Sequence, residues 1–239
     1  MEKLLVLFLA LLLGLSPFLA FGQKYEEDLI ATASGNLRIT FLGHATLMFT
    51  FQDKVIHVDP WSEQADYASL PKADLILITH DHFDHLDPEA IRTIKKDSTV
   101  IIGPANCQSK VSGLKVMKNG QKENILGLEI EAIPAYNLTK SFHPKGVGNG
   151  YIITFADKRV YIAGDTENVP EMKNLKNIEV AFLPMNQPYT MTPEQVAEAA
   201  RWIKPAILYP YHYGETEVSR LIALLKDNPE IEVRIRKLN

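Results

Sequence analysis

The sequence predicts an α/β domain built as a four-layer α/β/β/α sandwich. Three observations point there. Short strands recur along the chain, and several are almost wholly apolar, as central strands covered on both faces are. Helices with explicit start signals interrupt them, first at Asp87-Pro88 and again at Thr192-Pro193. An amphipathic stretch and an alternating strand close the chain. Two facing sheets with helices on their outer sides accommodate that order.

Residues 37–42, 46–51 and 54–58 read as a meander of three short strands, with Gln52-Asp53 turning the last hairpin. Residues 74–78 form a buried strand. Asp87 can cap a helix with Pro88 at its first position, running to about Lys96. Residues 99–102 are a second buried strand. Further strands are expected at 128–133, 151–155, 159–163 and 179–183, with Ala156-Asp157-Lys158 as a hairpin turn. Thr192 caps a helix to about Ile203, and Gln195 completes a capping box. Residues 206–209 return as strand and 215–226 as amphipathic helix. Ile231, Val233 and Ile235 alternate with Glu232, Arg234 and Arg236, the pattern of a half-buried last strand. The polar segment 23–34 is expected to be loosely held.

Residues 1–22 have the form of a secretory signal: Glu2 and Lys3, an apolar run to Leu13, Ser16 and Pro17, then Ala20 and Gly22 before an expected cleavage at Gln23. That predicts a periplasmic or secreted protein, with no stable membrane insertion after cleavage; retention as an N-terminal anchor is the alternative. The remaining 217 of the 239 residues suit one domain, 23–239. A net charge of −4 gives nucleic acid no electrostatic foothold. Cys107 is the only cysteine, so no intrachain disulfide exists, and a buried core thiol is its expected role. No motif sets an oligomeric state.

The chemistry concentrates in Thr79-His80-Asp81-His82-Phe83-Asp84-His85, directly after the apolar strand. Three of the seven histidines of the chain lie in this stretch, too dense for an ordinary polar loop, and imidazole with carboxylate is a donor set for transition metals. The spacing suits two neighbouring metal positions better than one. Asp165 in Gly164-Asp165-Thr166 and His212 after Tyr211 each follow an apolar strand, and His143 sits in Phe142-His143-Pro144-Lys145. Gly146-Val147-Gly148-Asn149-Gly150 precedes a strand instead of opening a helix, so it is no dinucleotide loop. Its glycines are read as letting the backbone pass close to the site. No G-x-S-x-G is present for a serine triad.

The series His80-x-His82-x-Asp84-His85, His143, Asp165, His212 resembles the metallo-β-lactamase fold superfamily over nearly the whole mature chain. Gly43-His44-Ala45-Thr46, the His143 loop, Gly164-Asp165-Thr166 and Tyr211-His212-Tyr213-Gly214 resemble its L-ascorbate-6-phosphate-lactonase-like metal-dependent hydrolases. The resemblance implies two divalent ions, zinc or manganese foremost and iron as an alternative. One would be held by His80, His82 and His143, the other by Asp84, His85 and His212, with Asp165 bridging. It implies a metal-activated water for hydrolysis, with Asp84 helping to orient it and Asp165 completing the catalytic pair. Asp59 would support the ligands from behind. His44 either lines the pocket or bonds to the backbone. The expected partner is a small-molecule substrate with an ester, lactone or phosphodiester bond. Tyr136, Asn137, Lys140 and Lys145 are candidates for contacting an anionic group on it, and Asn186, Tyr189 and Met191 for a second wall. The commonest β-lactamases of the superfamily carry cysteine where this chain has Asp165, which ranks antibiotic hydrolysis lower. Thioester hydrolysis and a non-catalytic metal-binding or sensing role on the same fold stay open.

Overall fold

The computed structural model describes residues 25–238; the expected signal at 1–22 and its cleavage point lie outside the described residues. The first sheet holds β1 (Glu26–Thr32), β2 (Gly35–Gly43), β3 (Thr46–Phe51), β4 (Lys54–Val58), β5 (Leu75–Leu77), β6 (Val100–Gly103) and β7 (Lys115–Val116) in that spatial order. The helix α1 (Pro88–Ile94) lies between β5 and β6 in the chain. The second sheet holds β8 (Lys122–Ile125), β9 (Leu128–Ala135), β10 (Gly148–Phe155), β11 (Lys158–Ile162), β12 (Ile178–Pro184), β13 (Ile207–Tyr211) and β14 (Glu232–Val233), again in chain order. Its helices are α2 (Pro193–Ile203) and α3 (Val218–Leu225). No helix among the described residues is long and apolar enough to cross a membrane.

Strand alternation decides which side chains meet. Ile39, Leu47, Phe49, Ile56 and Leu75 of the first sheet pack on Ile130, Ile153, Phe155, Val160 and Phe182 of the second. Phe182 stacks on Tyr209 at 5.0 Å and meets Phe49 edge-on at 6.1 Å. Each such buried ring contributes roughly 1.5–3 kcal/mol, so this layer is the main hold on the fold. The outer face of the first sheet buries Ile76, Ile78 and Ile101 under Ala90, Ile91 and Ile94 of α1. Asp87 caps α1 by accepting from the Glu89 and Ala90 amides at 2.8 and 3.3 Å. Thr192 and Gln195 form the expected reciprocal capping box of α2. Its apolar face, Val196, Ala197, Ala200 and Ile203, covers the second sheet beside Leu221 and Leu225 of α3.

Several boundaries differ from expectation. The segment thought loose is β1, paired with β2 at every position from Glu26↔Phe41 to Thr32↔Gly35. Its polarity misled because partners at the far end of the chain satisfy it. Asp28 accepts from Arg236 Nη2 at 2.7 Å on each oxygen and from the Tyr209 hydroxyl. The last strand is shorter than expected: β14 spans two residues, with the Arg234 amide bonding to Leu208 O at 2.9 Å and the Arg234 and Arg236 side chains turned to Asp28. The strands β7 and β8, with two and four residues, are too short and polar to have been foreseen. The first turn expected of α3 is absent, and Glu217 offers no side-chain cap.

Connectivity places the site. Antiparallel pairing of β2, β3 and β4, then parallel pairing to β5, points β2, β4 and β5 the same way. By the same reasoning β9, β11, β12 and β13 run together. Their carboxyl ends meet at one rim, where the Asn149 amide donates to Thr79 O at 2.8 Å.

Candidate metal centre

Every predicted site residue leaves a strand at that rim. His44 follows β2, Asp59 follows β4, the 80–85 cluster follows β5, Asp165 follows β11 and His212 follows β13, while His143 lies on the loop between β9 and β10. Nine described non-glycine residues have positive φ, and four are His44 (53°), Asp59 (45°), His143 (54°) and His212 (46°). Such backbone costs on the order of 1 kcal/mol or more per residue. It turns the side chains sharply from the strand ends toward one point. Two glycines permit the close approach. A Cβ on Gly150 would meet Ala163 O at 2.7 Å, and one on Gly164, at φ +66°, would meet Asn149 O at 2.9 Å.

Three sets of donor atoms converge. His80, His82 and His143 form one; His44, Asp84, His85 and His212 form another; His80, His85 and Asp165 lie between. In the first set, His82 Nδ1 is 3.1 Å from His80 Nε2 and 3.3 Å from His143 Nε2. In the second, His44 Nε2 donates to Asp84 Oδ2 at 3.1 Å, and His212 Nε2 is 3.7 Å from the same oxygen. Asp165 reaches both sets. Its Oδ2 is 3.2 Å from His143 Nε2 and 3.4 Å from His212 Nε2, and its Oδ1 is 3.4 Å from His85 Nε2.

The buried layer behind fixes which nitrogens face inward. Asp59, with no exposure, accepts from the Thr79 amide at 2.8 Å, the Thr79 hydroxyl at 2.6 Å and His85 Nδ1 at 2.8 Å. With Nδ1–H committed to Asp59, His85 turns a lone pair on Nε2 toward Asp165. The Thr79 oxygen, 3.0 Å from His80 Nδ1, does the same for His80. The amides of Asn137 and Asn186 face Nδ1 of His143 and His212 at 3.2 and 3.3 Å.

Electrostatics follow from burial and carboxylates. Burial lowers the pKa of His80 and His143, keeping them neutral. Burial also opposes charge on His85, but Asp165, Asp59 and Asp84 outweigh it and raise the imidazole to about 9. Burial pushes Asp165 up, and the rings of His212, His85 and His80 overcome that, holding the carboxyl well below its usual range. The carboxylates thus demand positive charge at the centre, from a proton on His85 or from a cation. Two observations fit the cation. His85 Nε2 and Asp165 Oδ1 are buried, face each other and have no hydrogen-bond partner, which buried polar atoms rarely tolerate unless an ion or water completes them. The mixed nitrogen and oxygen donors also suit borderline divalent metals.

Several sequence readings need correction. The His44 ring bonds to the Asp84 carboxylate, not to backbone. Met191 is fully buried in the core beneath α2 and is not on the lining of the cavity over the donor set. Lys140 donates to Thr190 O, Lys145 is paired with Glu171, the Tyr136 hydroxyl donates to Glu171, and Asn137 donates to Tyr189 O at 2.8 Å. None of these four is held ready for an anion. Cys107 is buried, and burial pushes its thiol up to about 12, as befits a core residue. Sequence reasoning missed Thr79 and Glu167. The latter accepts from the Leu138 and Thr139 amides at 2.6 and 2.8 Å and so anchors the loop carrying His143. Only its position two residues after Asp165 hinted at that.

Residues 38–212 match the model of the beta-lactamase superfamily domain. The chain belongs to the metallo-β-lactamase superfamily. A UPF0173 metal-dependent hydrolase of Geobacillus sp. (strain WCH70) is 30% identical over 215 residues, 80% of this chain and 94% of that protein. A crystal structure from Parabacteroides distasonis, of a candidate metal-dependent hydrolase, is 54% identical, covers 90% of this chain and all of its own, and superposes with a TM-score of 0.88. A metallo hydrolase from Ignicoccus hospitalis shares the fold at a TM-score of 0.72 and 24% identity, covering 85% of this chain and 96% of its own. The protein is a metal-dependent hydrolase of the metallo-β-lactamase superfamily. These likenesses do not single out the lactonase-like branch.

Proposed function

We propose that this superfamily member uses a binuclear site, with His80, His82 and His143 as ligands of one ion and Asp84, His85 and His212 as ligands of the other. Asp165 bridges the two. The observation that carries this reading is the position of the Asp165 carboxylate, with one oxygen 3.2 Å from His143 and the other 3.4 Å from His85. Zinc and manganese are the foremost candidates and iron the alternative, since the donor set suits all three. When bound, the ions supply Lewis-acid polarisation of the scissile bond and a water acidic enough to attack near neutral pH.

The residues of the chain supply orientation. Asp84 is held by His44 and keeps its carboxylate ionised, since the His44 bond and the His85 charge outweigh the burial that pushes its pKa up. It is therefore placed to accept a hydrogen bond from the attacking water. Asp59 and Thr79 fix the tautomers of His85 and His80 from behind. The substrate is a small molecule with an ester, lactone or phosphodiester bond, met outside the cytoplasm if residues 1–22 act as an export signal.

The test is hydrolysis of simple esters, lactones and phosphodiesters by the metal-loaded protein against a His82→Ala variant. Turnover lost in the variant supports the reading. Equal rates in the two proteins on all three bond types would leave a metal-binding or sensing role instead.

A further inference from the structure

The cavity over the donor set has a composition that none of the chemistry above requires. It encloses about 640 Å³, and its walls include Phe83, Phe142 and Tyr189 together with Lys110. That volume suits a ligand much larger than the reacting bond. Phe83 is 74% exposed, Phe142 42% and Tyr189 43%. Eight large hydrophobic residues are substantially exposed among the described residues, and three of them stand around this one opening. Exposed aromatic surface gathered at a cavity is a mark of ligand binding.

The rings are arranged rather than scattered. Phe142 and Tyr189 meet edge-on, with centroids 5.0 Å apart at 71°. Phe83 meets Trp61 in the same way at 5.9 Å and 78°, and Trp61 in turn packs on His44 at 5.0 Å. Each exposed ring is also tied to the donor set. Phe83 sits between His82 and Asp84 in the turn, and Phe142 directly precedes His143. Tyr189 belongs to the loop whose Asn186 faces His212 and whose carbonyl at 189 accepts from Asn137. A ligand held by these rings is thereby held over the reacting centre.

We infer that the substrate bears an aromatic group beside its ester, lactone or phosphodiester bond, and that the Phe142–Tyr189 pair and Phe83 receive it. This rests on the hydrolase reading above. Aromatic faces and edges bind another ring through area burial and edge-to-face contact. In hydrophobic pockets, changes as small as one methylene shift kcat/KM by roughly 10–200-fold.

The test uses the full chain loaded with zinc or manganese. Methyl phenylacetate and methyl acetate share a leaving group and differ only in the ring. Each rate is normalised to alkaline hydrolysis of the same compound. Phenylacetone, an uncharged ketone analogue of the ring-bearing ester, and acetone are titrated by ligand-observed NMR, which needs no turnover. The expected result is a preference of about tenfold or more for the ring-bearing ester and for phenylacetone, falling severalfold in Phe142→Ala and in Tyr189→Ala. Equal handling of ring-bearing and ring-free compounds, or variants that keep the preference, would each overturn the inference. If phenylacetone binds as expected while neither ester is cleaved, the ligand class stands and ester hydrolysis fails.

Discussion

Asp59 touches none of the proposed metal positions, yet its replacement by asparagine should weaken one of them. In the native protein Oδ2 of Asp59 takes both the Thr79 hydroxyl, at 2.6 Å, and His85 Nδ1–H, at 2.8 Å. In Asp59→Asn the shape is kept, but one acceptor oxygen becomes an NH2 donor. Oδ1 already accepts the Thr79 amide at 2.8 Å, so the NH2 takes the Oδ2 position, facing His85. His85 must then accept at Nδ1 and carry its proton on Nε2, the atom 3.4 Å from Asp165 Oδ1. That converts a ligand lone pair into an N–H. Carboxylates supporting metal-binding histidines are worth about 10–100-fold in affinity, and a charged hydrogen bond is worth roughly 1.5–3 kcal/mol, the same range. The assay is competition between the protein and a chromophoric chelator for zinc, with thermal unfolding of the metal-free variant to establish that it folds. The expected result is one site weakened about 10–100-fold. Native affinity at every site in a folded Asp59→Asn protein would refute the tautomer argument.

Three other outcomes follow from the structure. Burial drives the His57 imidazole down to about 4 despite its hydrogen bond to Pro71 O; the unfolded chain binds that proton from about pH 6.5, so stability is full above 6.5 and falls toward pH 4. At about 1.4 kcal/mol per pH unit this is on the order of 3 kcal/mol, and denaturant titrations of His57→Phe should lack that part of the acid loss; parallel pH profiles would count against it. Gly150→Ala puts a methyl 2.7 Å from Ala163 O, just past the end of β11, so chemical denaturation should show a loss of about 1–3 kcal/mol, and an unchanged midpoint would contradict the contact. Glu167→Ala frees the Leu138 and Thr139 amides and loosens the His143 loop; chelator competition should show weaker binding at the His80–His82–His143 position, with little change at the other.

How much of this was legible in the chain depends on where each contact lies. The central strands were readable because burial on both faces leaves an unbroken apolar run, as in Leu75–Leu77. The capped starts of α1 and α2 were readable because caps are local. The ligand cluster was readable because six consecutive residues, 80–85, hold most of it. Long-range pairing hid the rest. The strand β1 has one buried residue, Ile30, and owes its order to arginines 206 and 208 positions away. The loop lysines looked available because their partners, Thr190 and Glu171, are remote in sequence. Of the aromatic mouth only Tyr189, with Asn186 beside it, was legible as a pocket wall; Phe83 and Phe142 join it only once both sheets have formed.

Metal content of the purified protein by inductively coupled plasma mass spectrometry, with Asp165→Ala and His82→Ala alongside, tests the binuclear claim most directly. Two tightly bound transition metals per chain are expected, with one lost in His82→Ala and both weakened in Asp165→Ala, because only the aspartate reaches both donor sets. A single ion that survives in Asp165→Ala, or no ion after incubation with zinc, manganese and iron, would contradict the bridged site and the mechanism built on it.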